Sequence, residues 1–206
     1  MAGVHRRMLD RIGNEQARAT TIVRYAPGSS FSPHTHSGGE EFFVLEGVFQ
    51  DEHGDYPAGS YVRNPPTSRH TPGSEEGCVI FVKLRQFDPA DRQEVRLTMA
   101  SLPRQDVPTL PGVSRAILFE DARERVEYQH WQPHSTTEQR FPEGAEVFVL
   151  QGEIHSNHGV LKTHSWLRLP PGGHLQATTQ AQEALIWTKV GHLNPTKMTE
   201  DHKDPI

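Results

Sequence analysis

Apolar and polar residues alternate along this chain in runs of a few residues, each closed by a turn. Residues 6 to 13 and 17 to 26 (ARATTIVRYA) mix β-branched side chains with charges, and the second run ends at the turn PGS. The runs EEFFVLEG and VFQDE follow, then a turn at HGD, SYVRN, a turn at PPTSRH, and GCVIFVKLRQF. Such short alternating runs predict strands, and their close spacing predicts an all-β barrel or sandwich. From residue 88 to 115 charges and prolines interrupt the rhythm. Within that segment DPADRQEV predicts a short helix, with Asp88 as cap and Pro89 at the first helical position, in a connection between two halves.

The pattern then starts again. GAEVFVLQGEIHSNHGVLKTHSWLRLPPGG lies without a gap on GEEFFVLEGVFQDEHGDYPAGSYVRNPPTS at an offset of 105 residues, and EALIWTKVGHL answers GCVIFVKLRQF. An internal repeat of this length implies two similar barrels, residues 1–100 and 101–206.

Composition narrows the class. The chain has 17 glycines and 16 prolines in 206 residues, which suits many tight turns better than long helices. Its formal charge is −5, from 21 basic and 26 acidic residues, with no concentrated basic face, so nucleic acid is not an expected partner. No apolar run approaches a bilayer span and the first residues lack an apolar leader, so no membrane association and a cytoplasmic location are expected. Cys78 is the single cysteine; it excludes an intrachain disulfide and reads as a buried strand residue.

Candidate chemistry gathers in the first repeat. His34 and His36 are two residues apart, so in an extended strand both imidazoles face one interior. Glu40 follows a Gly-Gly bend, and His70 comes after the Pro-rich turn. Three imidazoles and one carboxylate make a set of intermediate hardness for one divalent ion, Fe2+ or Zn2+, with Mn2+ and Ni2+ as alternatives. Alternation turns Glu41 to the opposite face. Phe42 and Val44 share parity with Glu40 and either line the pocket or pack the barrel, while Arg63 and Arg85 are pocket or surface charges. At the matching positions of the second repeat stand Gln139, Phe141, Ala145 and Leu175, so that copy loses all four ligands. Its histidines do not restore them, since His174 is one residue out of register.

The spacing Gly28, His34, His36, Glu40, Gly47 resembles the first motif of the cupin superfamily, and Gly59, Pro65, Thr67, His70 resembles the second, with Thr67 where that family usually has Gly. From about Arg11 to Phe87 the chain is similar to the cupin domain of ChrR-type anti-sigma factors. The resemblance implies a bicupin: two tandem jelly-roll barrels, the first with metal ligands His34, His36, Glu40 and His70. It further implies a small-molecule substrate or ligand and a homodimer as an available assembly. One common outcome in such proteins is a mononuclear non-haem metal oxidoreductase, dioxygenase-like, acting on a small carbonyl or enol compound. Another is a zinc-binding regulatory or sensory cupin without catalysis, and a third a bicupin with a structural metal. Sigma-factor binding is not expected, because the zinc-bound helical domain that does this in ChrR-type proteins has no counterpart here. No catalytic residue beyond the ligands can be named from sequence.

Overall fold

The structure, a computed structural model, describes residues 3–13 and 17–194. The described residues fall into two units, one up to Ser101 and one from Leu102. Both are built of antiparallel strands, and the described residues include no α-helix, only a turn of 3-10 helix at Met99–Ser101.

The first unit contains β1 (Val4–Ile12), β2 (Arg18–Tyr25), β3 (Ser29–Ser30), β4 (His34–Thr35), β5 (Glu40–Asp51), β6 (Gly54–Pro57), β7 (Ser60–Asn64), β8 (Arg69–His70), β9 (Gly73–Ser74), β10 (Cys78–Leu84) and β11 (Val95–Thr98). One sheet runs β1-β2-β10-β5-β7-β11. The long strand β5 leaves it halfway and pairs with β6 and β9, while β3 joins β9 and β4 pairs with β8 as a separate two-stranded ladder. The switch is made at a bulge: β10 residues Val79 and Ile80 face Glu46 and Val44, so Leu45 is the extra residue. A bulge bends its strand and increases its twist, which lets one strand serve both walls of a barrel. Val23, Tyr25, Phe42, Val44, Phe49 and Ile80 fill the space between the walls.

The second unit contains β12 (Gln105–Asp106), β13 (Val113–Glu120), β14 (Arg125–Trp131), β15 (Thr136–Phe141), β16 (Ala145–Gln151), β17 (Glu153–Ser156), β18 (Gly159–Lys162), β19 (Trp166–Leu169), β20 (Gly173–Thr178) and β21 (Ala184–Val190). Its sheets run β12-β13-β14-β21-β16-β19 and β15-β20-β17-β18. Trp131, Phe141, Val147, Val149, Ile154 and Leu175 form its core.

The repeat extends to the backbone. Left-handed residues recur at the sequence offset, Gly39 with Gly144, Gly47 with Gly152 and Gly54 with Gly159. Gly59 is answered by His164 (φ 66°) and Gly172 (φ 82°) by Thr67 (φ 78°). The bulge recurs too, at Leu150 between β16 and β21. Thr67 is thus a threonine in a conformation that suits glycine, because its Cβ crowds the backbone there.

Two features of the connection differ from expectation. Residues 88–95 form no helix: the Asp88 carboxylate accepts from the Ala90 amide at 2.7 Å, and Asp91 Oδ1 accepts from the Gln93 amide at 2.8 Å. These local turns satisfy the amides that a helix would have used. The segment also contributes ladder, since Val95–Thr98 pairs with β7 and Gln105–Asp106 with β13.

Candidate metal centre

Three strands and the residue after one of them deliver the candidate ligands. His34 and His70 face each other across the β4–β8 ladder, and Glu40 opens β5. His36 follows β4 and is fixed by its backbone, its amide donating to Ser68 O and its carbonyl accepting from the Thr67 amide, each at 2.9 Å. The left-handed Thr67 therefore shapes the turn that brings His70 back over His36.

Ligand nitrogens of His34, His36 and His70 lie within 4.8 Å of one another, the one such grouping of three or more His, Cys, Asp or Glu found among the described residues. His36 Nε2 and His70 Nε2 are 2.9 Å apart, and Glu40 Oε2 is 3.4 Å from the first and 3.5 Å from the second. A divalent ion holds such donors at about 2.0–2.2 Å, which separates neighbouring donors by about 3 Å. The edges among His36, His70 and Glu40 are near that spacing, while the three-histidine group as a whole spans up to 4.8 Å. His36, His70 and Glu40 are buried, at 8%, 2% and 8% exposure, and His34 is more open.

Supporting contacts aim the rings. His34 Nδ1 is 2.9 Å from Ser32 O, and His70 Nδ1 is 3.1 Å from Asp51 Oδ2, so in both rings Nδ1 is engaged outside and Nε2 is left for the centre. Outer partners of this type fix the tautomer and raise ligand basicity. Asn64 Nδ2 donates to Glu40 Oε2 at 3.3 Å.

Electrostatics follow from these contacts. Burial lowers the His36 pKa, and the neighbouring His70 lowers it further, against the pull of Glu40. For His70 burial acts downward as well, but the Asp51 hydrogen bond and the charges of Glu40, Asp51 and Glu52 outweigh it and the net shift is upward. Burial would raise Asp51, yet its bonds to His70 and to the His53 amide hold it below the ordinary carboxylate range.

A cavity of about 390 Å3 opens onto the cluster. His34, His36 and Glu40 form its polar end, Val23, Phe31, Ile80, Val82 and Leu84 its apolar wall, and Arg6 and Tyr25 also line it. Arg6 lies over the Phe31 ring, 5.7 Å from its centroid. Burial, reinforced by the Glu40 charge, pushes the Tyr25 phenol well above its ordinary pKa, so it keeps its proton. Phe42 and Val44 pack in the core and do not line this cavity.

On the opposite face of β5, Glu41 accepts from Tyr61 Oη at 2.6 Å and lies 3.7 Å from Arg63. Arg63 pairs with Asp91 at 2.9 Å and stacks over Phe87. Arg85 donates to Ser37 Oγ at 2.7 Å on the exposed side. Cys78 is buried, and burial raises its thiol pKa. In the second unit Gln139 and Phe141 face Leu175 and Gly173 across β15 and β20, with Ala145 at the start of β16. His174 stays exposed beside His158, whose Nε2 contacts the His174 carbonyl at 2.9 Å. His53 sits in its turn, where its amide donates to Asp51 at 2.8 Å. No described helix is long and apolar enough to cross a membrane.

Solved structures of the same architecture are numerous. A candidate dioxygenase from Nostoc punctiforme matches with a TM-score of 0.78 at 17% identity, over 96% of this chain and 75% of that one. The bacterial pirin YhhW of Escherichia coli, solved with nickel(II), matches at 0.68 and 13% identity over 93% of each chain. Oxalate decarboxylase of Bacillus subtilis matches at 0.59 and 11% identity, over 84% of this chain and 68% of that one. At these identities the likeness establishes the fold, a pair of cupin jelly-roll barrels. No curated protein matches the sequence. The family model for the ChrR Cupin-like domain matches twice, over residues 1–88 and 92–194, and the chain belongs to that family.

Proposed function

We propose that the first unit is a mononuclear metal centre held by His34, His36, Glu40 and His70, and that it works as a non-haem metal oxidoreductase of the dioxygenase kind on a small carbonyl or enol compound. The observation that carries this reading is the grouping of the three imidazoles, with Glu40 3.4 Å from His36 and 3.5 Å from His70, at the polar end of an otherwise apolar cavity that His34, His36 and Glu40 line.

Three neutral imidazoles and one carboxylate around a divalent ion give a site charge of about +1, which favours an anionic or enolised oxygen. When bound, the ion supplies Lewis acidity and, with iron, access to O2 chemistry. The chain's own residues do the rest. Arg6 adds a second positive charge along the cavity and draws an anionic headgroup inward. The protonated Tyr25 offers a donor to a substrate oxygen. The apolar wall excludes water, and a volume of about 390 Å3 restricts the substrate to a small molecule.

A second reading has the family match in its favour: the ChrR Cupin-like domain relates the chain to a regulatory module, where a closed zinc site would serve sensing. Coordination number separates the two. Metal analysis of protein purified without added metal or chelator, with X-ray absorption to count non-protein ligands, is expected to give iron or manganese with two such positions. Four-coordinate zinc without water would overturn the enzyme reading in favour of sensing.

A further inference from the structure

The second unit, stripped of candidate ligands, has a cavity of about 650 Å3 at the corresponding place. In register, Arg125, Glu127, Gln129 and Trp131 of β14 stand where the first unit has Ala19, Thr21, Val23 and Tyr25 of β2. Arg115 faces Gln129 from β13 just as Arg6 faces Val23 from β1. The duplication has therefore exchanged an apolar wall for a charged one.

That wall is built. Glu127 is 2% exposed; its Oε1 lies 2.6 Å from Arg125 Nε and 2.9 Å from Arg115 Nη1, and its Oε2 accepts from Gln129 Nε2 at 2.7 Å. Trp131 Nε1 in turn donates to Gln129 Oε1 at 2.9 Å, which locks the amide. Two guanidiniums thus share one buried carboxylate oxygen, and the exposed Glu120 is a further carboxylate near Arg125, at 3.8 Å too far for a hydrogen bond. Each guanidinium has five N–H donors and uses a minority on Glu127, and with side chains 35% and 36% exposed both face the cavity.

Arg140 and Glu138 pair at 3.0 Å on the exposed part of the lining, and Glu143 accepts from Asn194 Nδ2 at 2.8 Å. Leu110, Phe141 and Val190 add apolar surface to the lining. We propose that this cavity binds a small organic monocarboxylate, its carboxylate on Arg115 and Arg125 and its apolar tail on Leu110, Phe141 and Val190. The proposal needs no metal and is independent of the reading of the first unit.

The probes are hexanoate, 6-aminohexanoate and adipate, titrated calorimetrically into chelator-treated full-length protein. Hexanoate should saturate one site, with 6-aminohexanoate and adipate each at least tenfold weaker because a charged tail end would be set among Leu110, Phe141 and Val190. All three tryptophans, Trp131, Trp166 and Trp187, belong to the second unit, so a matching change in tryptophan fluorescence would place the site there. Arg115→Gln, at a partly exposed position, should weaken hexanoate at least tenfold. The isosteric Glu127→Gln should tighten it by freeing both guanidiniums. The proposal is overturned by the absence of saturable binding at millimolar concentration, by adipate binding as tightly as hexanoate, by an unchanged affinity in Arg115→Gln, or by inorganic phosphate displacing hexanoate at equal concentration.

Discussion

The two barrels hold the same backbone and opposite interiors. Left-handed residues and the bulge recur at one offset, whereas the inward side chains go from three imidazoles and a carboxylate among apolar residues to glutamine, phenylalanine, alanine and leucine beside an arginine pair. What the chain keeps are the positions where the backbone itself is demanding. Gly47 and Gly152 show why: a Cβ would lie 2.0 Å from Gly77 O in one and 2.4 Å from Glu183 O in the other. Interior side chains, standing on a scaffold fixed this way, can be exchanged without loss of the fold.

The comparison can be broken first at the ligands. His36→Phe writes the second unit's residue into the first and should abolish metal binding by the protein, read by metal analysis after gel filtration; full retention would show that the ligand set is wrong. Gly47→Ala and Gly152→Ala test the shared scaffold, and each should cost on the order of 2–4 kcal/mol in denaturant unfolding, from left-handed strain plus overlap with a carbonyl. If one barrel tolerates its change, the two scaffolds are not equivalent.

Asp51→Ser is a finer transplant, since Ser156 occupies the matching place. Loss of the bond that orients His70 should weaken metal binding about 10- to 100-fold at high pH. It should also change the pH dependence. Protons and the ion compete for His70, whose pKa lies above the ordinary imidazole value, so loading in the native protein is lost as pH falls through that raised range. Without Asp51 the His70 pKa drops, and the midpoint of the affinity–pH curve should move to lower pH even as its high-pH plateau falls. A midpoint that stays put would remove Asp51 from this role. The smallest effect is expected of Thr67→Gly, which copies Gly172: relief of left-handed strain should stabilise the protein by about 1 kcal/mol in thermal or denaturant melts.

Much of this was legible in the sequence, for a physical reason. His34, His36, Glu40 and His70 stand out because their spacing is tied to glycines and a proline that fix turns, and the repeat exposes itself through the same punctuation. Asp51 was not legible. It lies eleven residues after Glu40 on one strand, and simple alternation sends it to the other face. The extra residue at Leu45 inverts the parity, which brings Phe49 into the core and Asp51 to His70. The Arg115–Glu127–Arg125 group was hidden differently: Arg125 and Glu127 alternate on β14 but Arg115 reaches them from β13, and no motif spacing links the two strands. The Asp88 helix failed because turn-forming aspartates compete with helix for the same amides.

One last consequence concerns how an ion could come and go. Glu40 and Asp51 ride on the longest strand among the described residues, whereas His34 and His70 belong to a leaf of just two residue pairs, His34 with His70 and Thr35 with Arg69. So small a leaf can lift while the strands behind it stay zipped. Uptake and release would then be gated by a brief local breath at one corner, leaving the barrel wall intact throughout.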